Sequence, residues 1–371
     1  MAIYIILFII LLIISSVSIF IKINKKYSLV IFFLMALFGS LRYKIGMDYE
    51  SYESIFSAIG NEPFNLDLKG EAFVEPGYAF LISSLKYIGF GSVGLFALHM
   101  IISLYFIQKA IVKYSNNAFI SWLIIYGVYY ANLLFNGIRQ GLFIAILLYL
   151  LPILLEKKKG NFVRVLILSA LMANFVHKTA LFLPVIYLLC LLNPTIRMKY
   201  IILFISLIWG FSGVGDILVK IGGLSVVKES SFLSVIDFYT QSEAFGTKVQ
   251  LFSISVLHRL VILMLALYFS SLSTESLLFK KISNIYFWSA ILYFVLLPLG
   301  YILATRISMN IKIFDALLIP YFLIFLKENL FKNLVLLLVA LWSFSMMLTN
   351  FYLPGNYPYY VPYRTILDKK K

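Results

Sequence analysis

Long apolar runs recur from one end of the chain to the other and are separated by short polar segments. Most of these runs approach the roughly 17–25 residues that a helix needs to cross a bilayer. Inside a bilayer each helix satisfies its own backbone hydrogen bonds, whereas the alternating pattern of a membrane barrel is absent from this sequence. The pattern therefore predicts an all-α, polytopic helical membrane bundle that forms one integral membrane domain over residues 1–371.

The apolar runs predict about 12 spans and one further helix that is re-entrant or interfacial. That further helix is Gly77–Gly89, which is short and ends in glycines. The first run is expected to be a retained span, because it has neither a basic leader nor a clear small-residue cleavage site. The predicted spans are 3–21, 28–41, 93–108, 118–135, 138–155, 162–175, 179–192, 200–211, 251–270, 282–303, 307–325 and 334–352.

Basic clusters between the runs set the predicted orientation. The clusters at Lys22–Lys26 and Glu156–Lys159 are expected on the cytoplasmic side, because short loops rich in Lys and Arg remain there. Counting spans from these clusters places the loops at about 42–76 and 212–250 outside the cytoplasm. The same count places the C-terminal tail outside, although the tail ends in three lysines that favour the cytoplasm.

Composition agrees with a membrane protein and narrows the function. The chain is 62% hydrophobic and 13% charged, against about 25% charged residues in soluble domains. Its net charge of +15 is explained by cytoplasmic loops, so no nucleic acid partner is expected. Three histidines and the single cysteine, Cys190, form no dense ligand cluster, so we expect neither a metal nor a cofactor.

The pair His177–Lys178 separates two apolar arms of about 14 residues each. At 1.5 Å per residue each arm is about 21 Å long, which is less than the roughly 30 Å of a hydrocarbon layer. The two residues are therefore expected below the outer surface, in a cavity. Ionisable side chains at such depth are costly and usually functional.

The predicted orientation brings most of the isolated charges to one face of the membrane. Arg139 in NGIRQG and Arg306 in ATRIS are expected on short outer turns, where a cation works against the insertion preference. An anion bound in a cavity would offset that cost. The charged residues expected on this face are Arg42, Asp48, Glu75, Arg139, His177, Lys178, Arg306 and Arg364.

Several of these residues also have a purely structural interpretation. Arg42 could be an interfacial anchor, and His177 could be a buried hydrogen-bonding histidine. Asp48 and Glu75 could cap helices. For Arg259 with Asp315, the favoured interpretation is a structural ion pair between spans.

The group of charges suits a pyrophosphate. Arginine matches phosphate oxygens with two parallel hydrogen bonds, and fixed cations stabilise a leaving pyrophosphate as it gains charge. A carboxylate or a neutral histidine could take the proton from an acceptor hydroxyl. No glycine-rich phosphate loop and no DxD motif indicates a nucleotide-sugar site.

Six stretches, in order along nearly the whole chain, resemble the EpsG family of exopolysaccharide and O-antigen polymerases, the Wzy-type enzymes. They are RYKIGMDYESY from Arg42, EPGYAFL from Glu75, NGIRQGLFIAILLYLLPILLEKKK from Asn136, NFVHKTALFLPVIYLL from Asn174, TRISMNIKIFDALLIP from Thr305 and VPYRTIL from Val361.

The resemblance implies a GT-C-like glycosyltransferase of the bacterial inner membrane, with its active site facing the exterior. Such an enzyme joins undecaprenyl-pyrophosphate-linked oligosaccharide repeat units, among membrane lipid and with a chain-length regulator as a possible partner. The expected catalytic residues are Asp48, Glu75 and His177. The expected substrate-binding residues are Arg42, Tyr52, Arg139, Gln140, Lys178, Arg306 and Arg364.

Two other functions remain open. A flippase for the same lipid-linked oligosaccharide would also need cations in a cavity, but transporters often show inverted repeats, and none is visible here. A different membrane transferase, for a single sugar or an acyl group, is the second alternative.

Overall fold

The computed structural model describes residues 1–63, 74–156, 158, 160–214, 249–272, 276–352 and 355–370. Regular structure in these ranges is helical, and one isolated antiparallel bridge joins Arg42 to Thr365. An all-α fold is therefore confirmed for the described residues. Most of the predicted outer loop at 212–250, with its acidic residues Asp216, Asp237 and Glu243, lies outside them.

The helices are numbered in chain order. They are α1 (Ala2–Phe20), α2 (Ser28–Ser40), α3 (Tyr49–Ala58), α4 (Pro76–Tyr87), α5 (Ser92–Tyr114), α6 (Ala118–Ile124), α7 (Ile138–Tyr149), α8 (Leu151–Leu155), α9 (Asn161–Phe175), α10 (Leu183–Leu191), α11 (Ile196–Phe211), α12 (Ile254–Leu272), α13 (Leu277–Leu296), α14 (Tyr301–Lys312), α15 (Asp315–Phe325), α16 (Asn329–Tyr352) and α17 (Tyr357–Tyr360). A π-helix (Ile125–Asn136) continues α6, and short 3-10 helices cover Lys25–Tyr27, Lys178–Phe182, Leu297–Leu299 and Ile366–Lys370.

Each predicted span contains a helix, but fewer helices than predicted are long enough to cross a membrane. In the described residues six pass by length and composition: α1, α5, α6 with its π-helix, α12, α13 with its 3-10 turn, and α16. The pair α14–α15, bent by 55°, raises this number to seven. The remaining predicted spans correspond to shorter helices, so the count of about 12 and the GT-C-like arrangement stay predictions.

The chain divides into two compact units. Unit 1 comprises Met1–Ile153, Lys159–Leu183 and Ile319–Lys371, and unit 2 comprises Leu154–Lys158 and Pro184–Leu318. In unit 1, α5 packs against α2 and α7, and the π-helix packs against α16. In unit 2, α13 packs against α11, α12 and α14. The single integral membrane domain over residues 1–371 stays a prediction.

The predicted hairpin at His177 is present as a local turn. Helix α9 ends at Phe175, and the 3-10 helix Lys178–Phe182 folds back onto it. The Ser169 hydroxyl of α9 donates to the Ala180 carbonyl at 2.8 Å, which ties the two arms together.

The predicted short turn at Arg306 is wrong, because Arg306 lies inside α14. The chain breaks earlier, where a 3-10 turn over Leu297–Leu299 contains Pro298 and Gly300 adopts a φ of +122°. That φ is in the region that favours glycine, so the turn falls at Gly300 and the charged residue continues the next helix.

Candidate active site

An ion pair joins two of the predicted site residues in unit 1. Glu75 stands immediately before α4 and Arg139 is the second residue of α7. The Arg139 guanidinium donates from Nη1 to Glu75 Oε2, and Glu75 makes no capping hydrogen bond to its helix. Glu75 is 6% exposed and Arg139 16% exposed, so the pair is largely buried with one open side. The capping interpretation of Glu75 is therefore wrong.

Tyrosine rings surround this ion pair. Arg139 Cζ lies 5.8 Å from the ring centroid of Tyr52 and 5.2 Å from that of Tyr78. The Tyr78 hydroxyl is 3.0 Å from Nε2 of His99 in α5. Burial raises the pKa of Tyr52, so its hydroxyl stays protonated at neutral pH. The site thus presents a cation, a carboxylate and aromatic faces.

Arg42 is fully buried, and its guanidinium lies against two aromatic rings. Its Cζ lies 5.1 Å from the ring centroid of Phe96 and 4.5 Å from that of Phe135. The residue is 0% exposed, and none of its three guanidinium nitrogens has a hydrogen-bond partner in the part of the chain that the structure describes. Burial lowers the pKa of Arg42 to about 10, so the group still carries its charge at neutral pH.

One aromatic cluster links the two arginines. Phe96 stacks on Tyr49 at 4.2 Å between centroids and meets the edge of Tyr52 at 6.3 Å. Phe96 contacts Arg42, while Tyr52 contacts Arg139. Both cations therefore lie against the same layer of rings, which the first turns of α3 help to build.

The C-terminal segment pairs with the stretch that carries Arg42. The Tyr43 amide donates to the Arg364 carbonyl at 2.9 Å, and the Gly46 amide donates to the Tyr359 carbonyl at 3.0 Å. Arg364 thus holds its place through its backbone, while its side chain is exposed. The tail and the Arg42 stretch must consequently lie on the same side of a membrane, as their predicted orientation requires.

Asn136 connects the tail, the Arg42 stretch and the Arg139 turn. Its Oδ1 accepts from the Met47 amide at 2.9 Å and from the Tyr360 hydroxyl at 2.8 Å. It follows Phe135, which faces Arg42, and precedes Arg139 by three residues. Asn136 lies in the NGIRQG turn, but the sequence did not indicate it as a site residue, nor did it indicate Phe96, Phe135, Tyr78 or Tyr360. Their proximity to the arginines depends on contacts distant in sequence.

Asp48 occupies the position before α3 and is half-buried. Its side chain makes no capping hydrogen bond, so the capping interpretation is wrong for this residue as well. Its charge interacts with Tyr52 and Tyr360, which places it at the same cluster.

The structure brings the hairpin turn to the start of α4. A Cβ on Gly77 would meet the Phe175 ring at 2.6 Å and the Asn174 carbonyl at 2.9 Å, so α4 and the end of α9 are in close contact. His177 Nδ1 accepts from the Thr179 amide at 3.2 Å, which starts the 3-10 helix. In the neutral tautomer this arrangement requires, Nδ1 carries the lone pair and is already engaged, which weakens His177 as a general base.

The remaining predicted residues have different positions. Gln140 is buried beside Arg139, and Lys178 is exposed at the hairpin turn. Arg306 is exposed on α14 and belongs to unit 2. Its convergence with the residues of unit 1 stays a prediction.

Apolar helices of membrane length and a site of arginines among aromatic rings define a multi-pass membrane protein with a cationic, aromatic-lined site. The family model named EpsG family matches residues 25–365, nearly the whole sequence, and the chain therefore belongs to the EpsG family. This match confirms the resemblance seen in the six sequence stretches, and it supports a bacterial membrane protein of polysaccharide biosynthesis. No curated protein and no solved structure matches the chain.

Proposed function

We propose that this protein is a polysaccharide polymerase that joins undecaprenyl-pyrophosphate-linked repeat units at the outer face of the bacterial inner membrane. The growing glycan on its lipid pyrophosphate is the donor, and the non-reducing end of a new lipid-linked repeat unit is the acceptor. The observation that carries the proposal is the pair of cationic centres, Arg139 and Arg42, on one aromatic cluster beside carboxylates.

In this proposal Arg139 contacts the leaving pyrophosphate. Its guanidinium lies in the more open part of the site and has a buried Nε without a partner. Arg42 is enclosed, so it acts as a fixed positive charge behind the rings, where the low local dielectric strengthens its attraction for the leaving group. Together they stabilise the charge that develops when the glycosidic bond to phosphate breaks.

The general base is assigned to Asp48. Glu75 is engaged by Arg139, and His177 Nδ1 is engaged by the Thr179 amide. Asp48 is half-buried at the start of α3, and it interacts with Tyr52 of the same cluster. It would accept the proton of the acceptor hydroxyl as the new glycosidic bond forms, and Tyr52 and Tyr78 would pack against sugar rings.

The test uses purified protein and a lipid-linked repeat unit, both in detergent and in liposomes. A polymerase produces a ladder of longer glycans in both preparations. Movement of the unchanged lipid across the liposome membrane without a ladder would instead make the protein a flippase. Addition of a single sugar from another donor would make it a different transferase.

A further inference from the structure

Unit 2 holds a second group of buried charged side chains, within helices of the membrane-crossing set. Arg259 lies in α12, while Lys312 and Asp315 stand on either side of the break between α14 and α15. Arg259 and Lys312 are each 3% exposed, and Asp315 is 0% exposed. Two cations and one carboxylate leave this group with an excess of one positive charge.

The contacts show which cation is in excess. Lys312 Nζ lies 3.2 Å from Asp315 Oδ2, so these two form an ion pair. Arg259 Cζ lies 4.1 Å from the ring centroid of Tyr293, and Arg259 Nε is buried without a hydrogen-bond partner. The interpretation favoured from the sequence was an ion pair of Arg259 with Asp315, whereas the structure pairs Asp315 with Lys312 and places Arg259 against a ring.

Among the residues that the structure describes, the neighbouring Tyr286 and His258 do not cancel this excess. Tyr286 of α13 interacts electrostatically with Asp315 and Arg259, and its buried hydroxyl has no hydrogen-bond partner. His258 interacts with Lys312 and Arg259 and adds no negative charge. The group therefore combines a guanidinium with an open donor and a tyrosine hydroxyl that can also donate.

Burial of this excess positive charge costs free energy when no ligand is bound. A buried charge loses its hydration, and a single cation–π contact offsets only part of that desolvation cost. Helices that are interrupted at membrane depth commonly line binding sites, because their free backbone groups need partners there. Both features are explained if an anion binds beside Arg259.

We propose that Arg259, with Tyr286 and the Lys312–Asp315 pair, forms a second anion site that binds a phosphate or pyrophosphate group. A guanidinium fork matches phosphate oxygens, and a position within membrane-crossing helices is accessible to a head group carried by a lipid. This assignment rests on the proposed function in one respect. A polymerase that joins two lipid-linked molecules must accommodate two pyrophosphates, whereas Arg139 and Arg42 account for one.

The experiment counts bound pyrophosphates per chain by native mass spectrometry of the full-length protein, with a short-chain polyprenyl pyrophosphate as the probe. The variants are Arg259→Gln and Arg139→Gln, and the control is Arg197→Gln, an exposed arginine of unit 2 whose replacement removes the same charge. We expect two bound molecules for the wild type and for the control, and one for each of the other variants.

The outcomes separate this inference from the proposed function. If Arg259→Gln still binds two molecules, the second site is overturned and the first is left intact. The same conclusion follows if the wild type binds one molecule and only Arg139→Gln abolishes that binding. If the wild type binds one molecule and only Arg259→Gln abolishes that binding, the second site is supported. The donor site of the proposed function is then overturned. No binding to the wild type would overturn both.

Two further measurements complete the test. Arg259→Lys retains the buried charge but loses the guanidinium fork, so it should fold even if Arg259→Gln does not and should bind the second molecule more weakly than the wild type. Wild-type binding of both molecules by Arg259→Lys would overturn the role of the Arg259 guanidinium. Inorganic pyrophosphate as the probe identifies the source of the ligand. If it occupies the Arg259-dependent site, a free head group is sufficient, and if only the polyprenyl form binds there, the ligand is a lipid.

Discussion

Arg42 shows how much free energy the burial of a single charged residue costs. Its full burial without hydrogen bonds costs several kcal/mol, and its two ring contacts return roughly 1–4 kcal/mol in total. A residue kept only for stability would not normally be charged in such a place. The sequence indicated that Arg42 is important, but it could not show this enclosure, because Phe96 and Phe135 come from distant helices.

Replacement of Arg42 by methionine should therefore separate stability from activity. We expect Arg42→Met to keep or raise the thermal unfolding temperature, because an apolar side chain removes the desolvation cost. Polymer synthesis should fall strongly in the same variant. The control is Arg164→Met, at an exposed arginine of unit 1, which should change neither property. A clear fall in unfolding temperature for Arg42→Met alone would make Arg42 a structural residue.

The second prediction at this scale concerns Asp48 as the base. Asp48→Asn should lower the turnover rate by about 10²–10⁴-fold, because a general base contributes about that much. The unfolding temperature is measured on the same variant, so that a loss of turnover in protein that remains folded identifies a role of Asp48 in the reaction. Glu50→Gln, at an exposed carboxylate in the first turn of the same helix, serves as the control for kinetics and unfolding. Equal effects of the two substitutions on turnover would exclude Asp48 as the base.

At the scale of elements, apolar runs predicted the helices well and their ends less well. The predicted spans at 3–21 and 118–135 match α1 and the α6–π-helix within a few residues. The turn at Arg306 was misplaced because a charge was taken as the sign of a turn, whereas Gly300 supplies the backbone geometry. Helix α3 was missed inside a polar loop, because it is short and packs through Tyr49, Tyr52 and Phe56.

Close packing between α4 and α9 provides a test at this scale. A methyl group at Gly77 would lie 2.6 Å from the Phe175 ring and 2.9 Å from the Asn174 carbonyl, and the backbone atom cannot rotate away. Gly77→Ala gains at most about 1 kcal/mol of helix propensity and loses about 1–3 kcal/mol by overpacking. We therefore expect lower thermal stability and weaker activity.

The matched control for Gly77 is Gly91. A Cβ there has no heavy atom within 4 Å, and its φ of −88° suits any residue. Gly91 is the N-cap of α5, where alanine is less favourable than glycine, so Gly91→Ala should lower stability less than Gly77→Ala does and leave activity unchanged. If the two alanine variants unfold at the same temperature, α4 and α9 are not packed as described.

At the scale of the whole molecule, orientation in the membrane can be tested by labelling. The tail is hydrogen-bonded to the Arg42 stretch, so both should react with a membrane-impermeant thiol reagent from outside the cell. In a Cys190→Ser background, Lys44→Cys and Leu367→Cys should label, while Lys26→Cys should not. All three positions are exposed, so accessibility does not bias the comparison. Labelling of Lys26→Cys in place of the other two would reverse the predicted orientation.

The sequence predicted which residues form the candidate site better than it predicted the role of each residue. The basic loops and the isolated charges indicated which residues to examine, and unit 1 brings Arg42, Tyr52, Glu75 and Arg139 to one aromatic cluster. The engagement of Glu75 by Arg139, and of His177 by the Thr179 amide, depends on folded geometry. Sequence spacing alone therefore left three candidate bases, and the choice of Asp48 among them is our proposal.

The most direct test of the central claim is the length of glycan that Arg139→Lys produces from a purified lipid-linked repeat unit. Lysine keeps the positive charge beside Glu75 but loses the guanidinium fork that matches a pyrophosphate. We predict that the variant accumulates in the membrane normally and that its polymer yield falls by about 10²-fold, comparable to the loss of one transition-state donor. Wild-type chain lengths and yield in Arg139→Lys would contradict the assignment of this site to the leaving pyrophosphate.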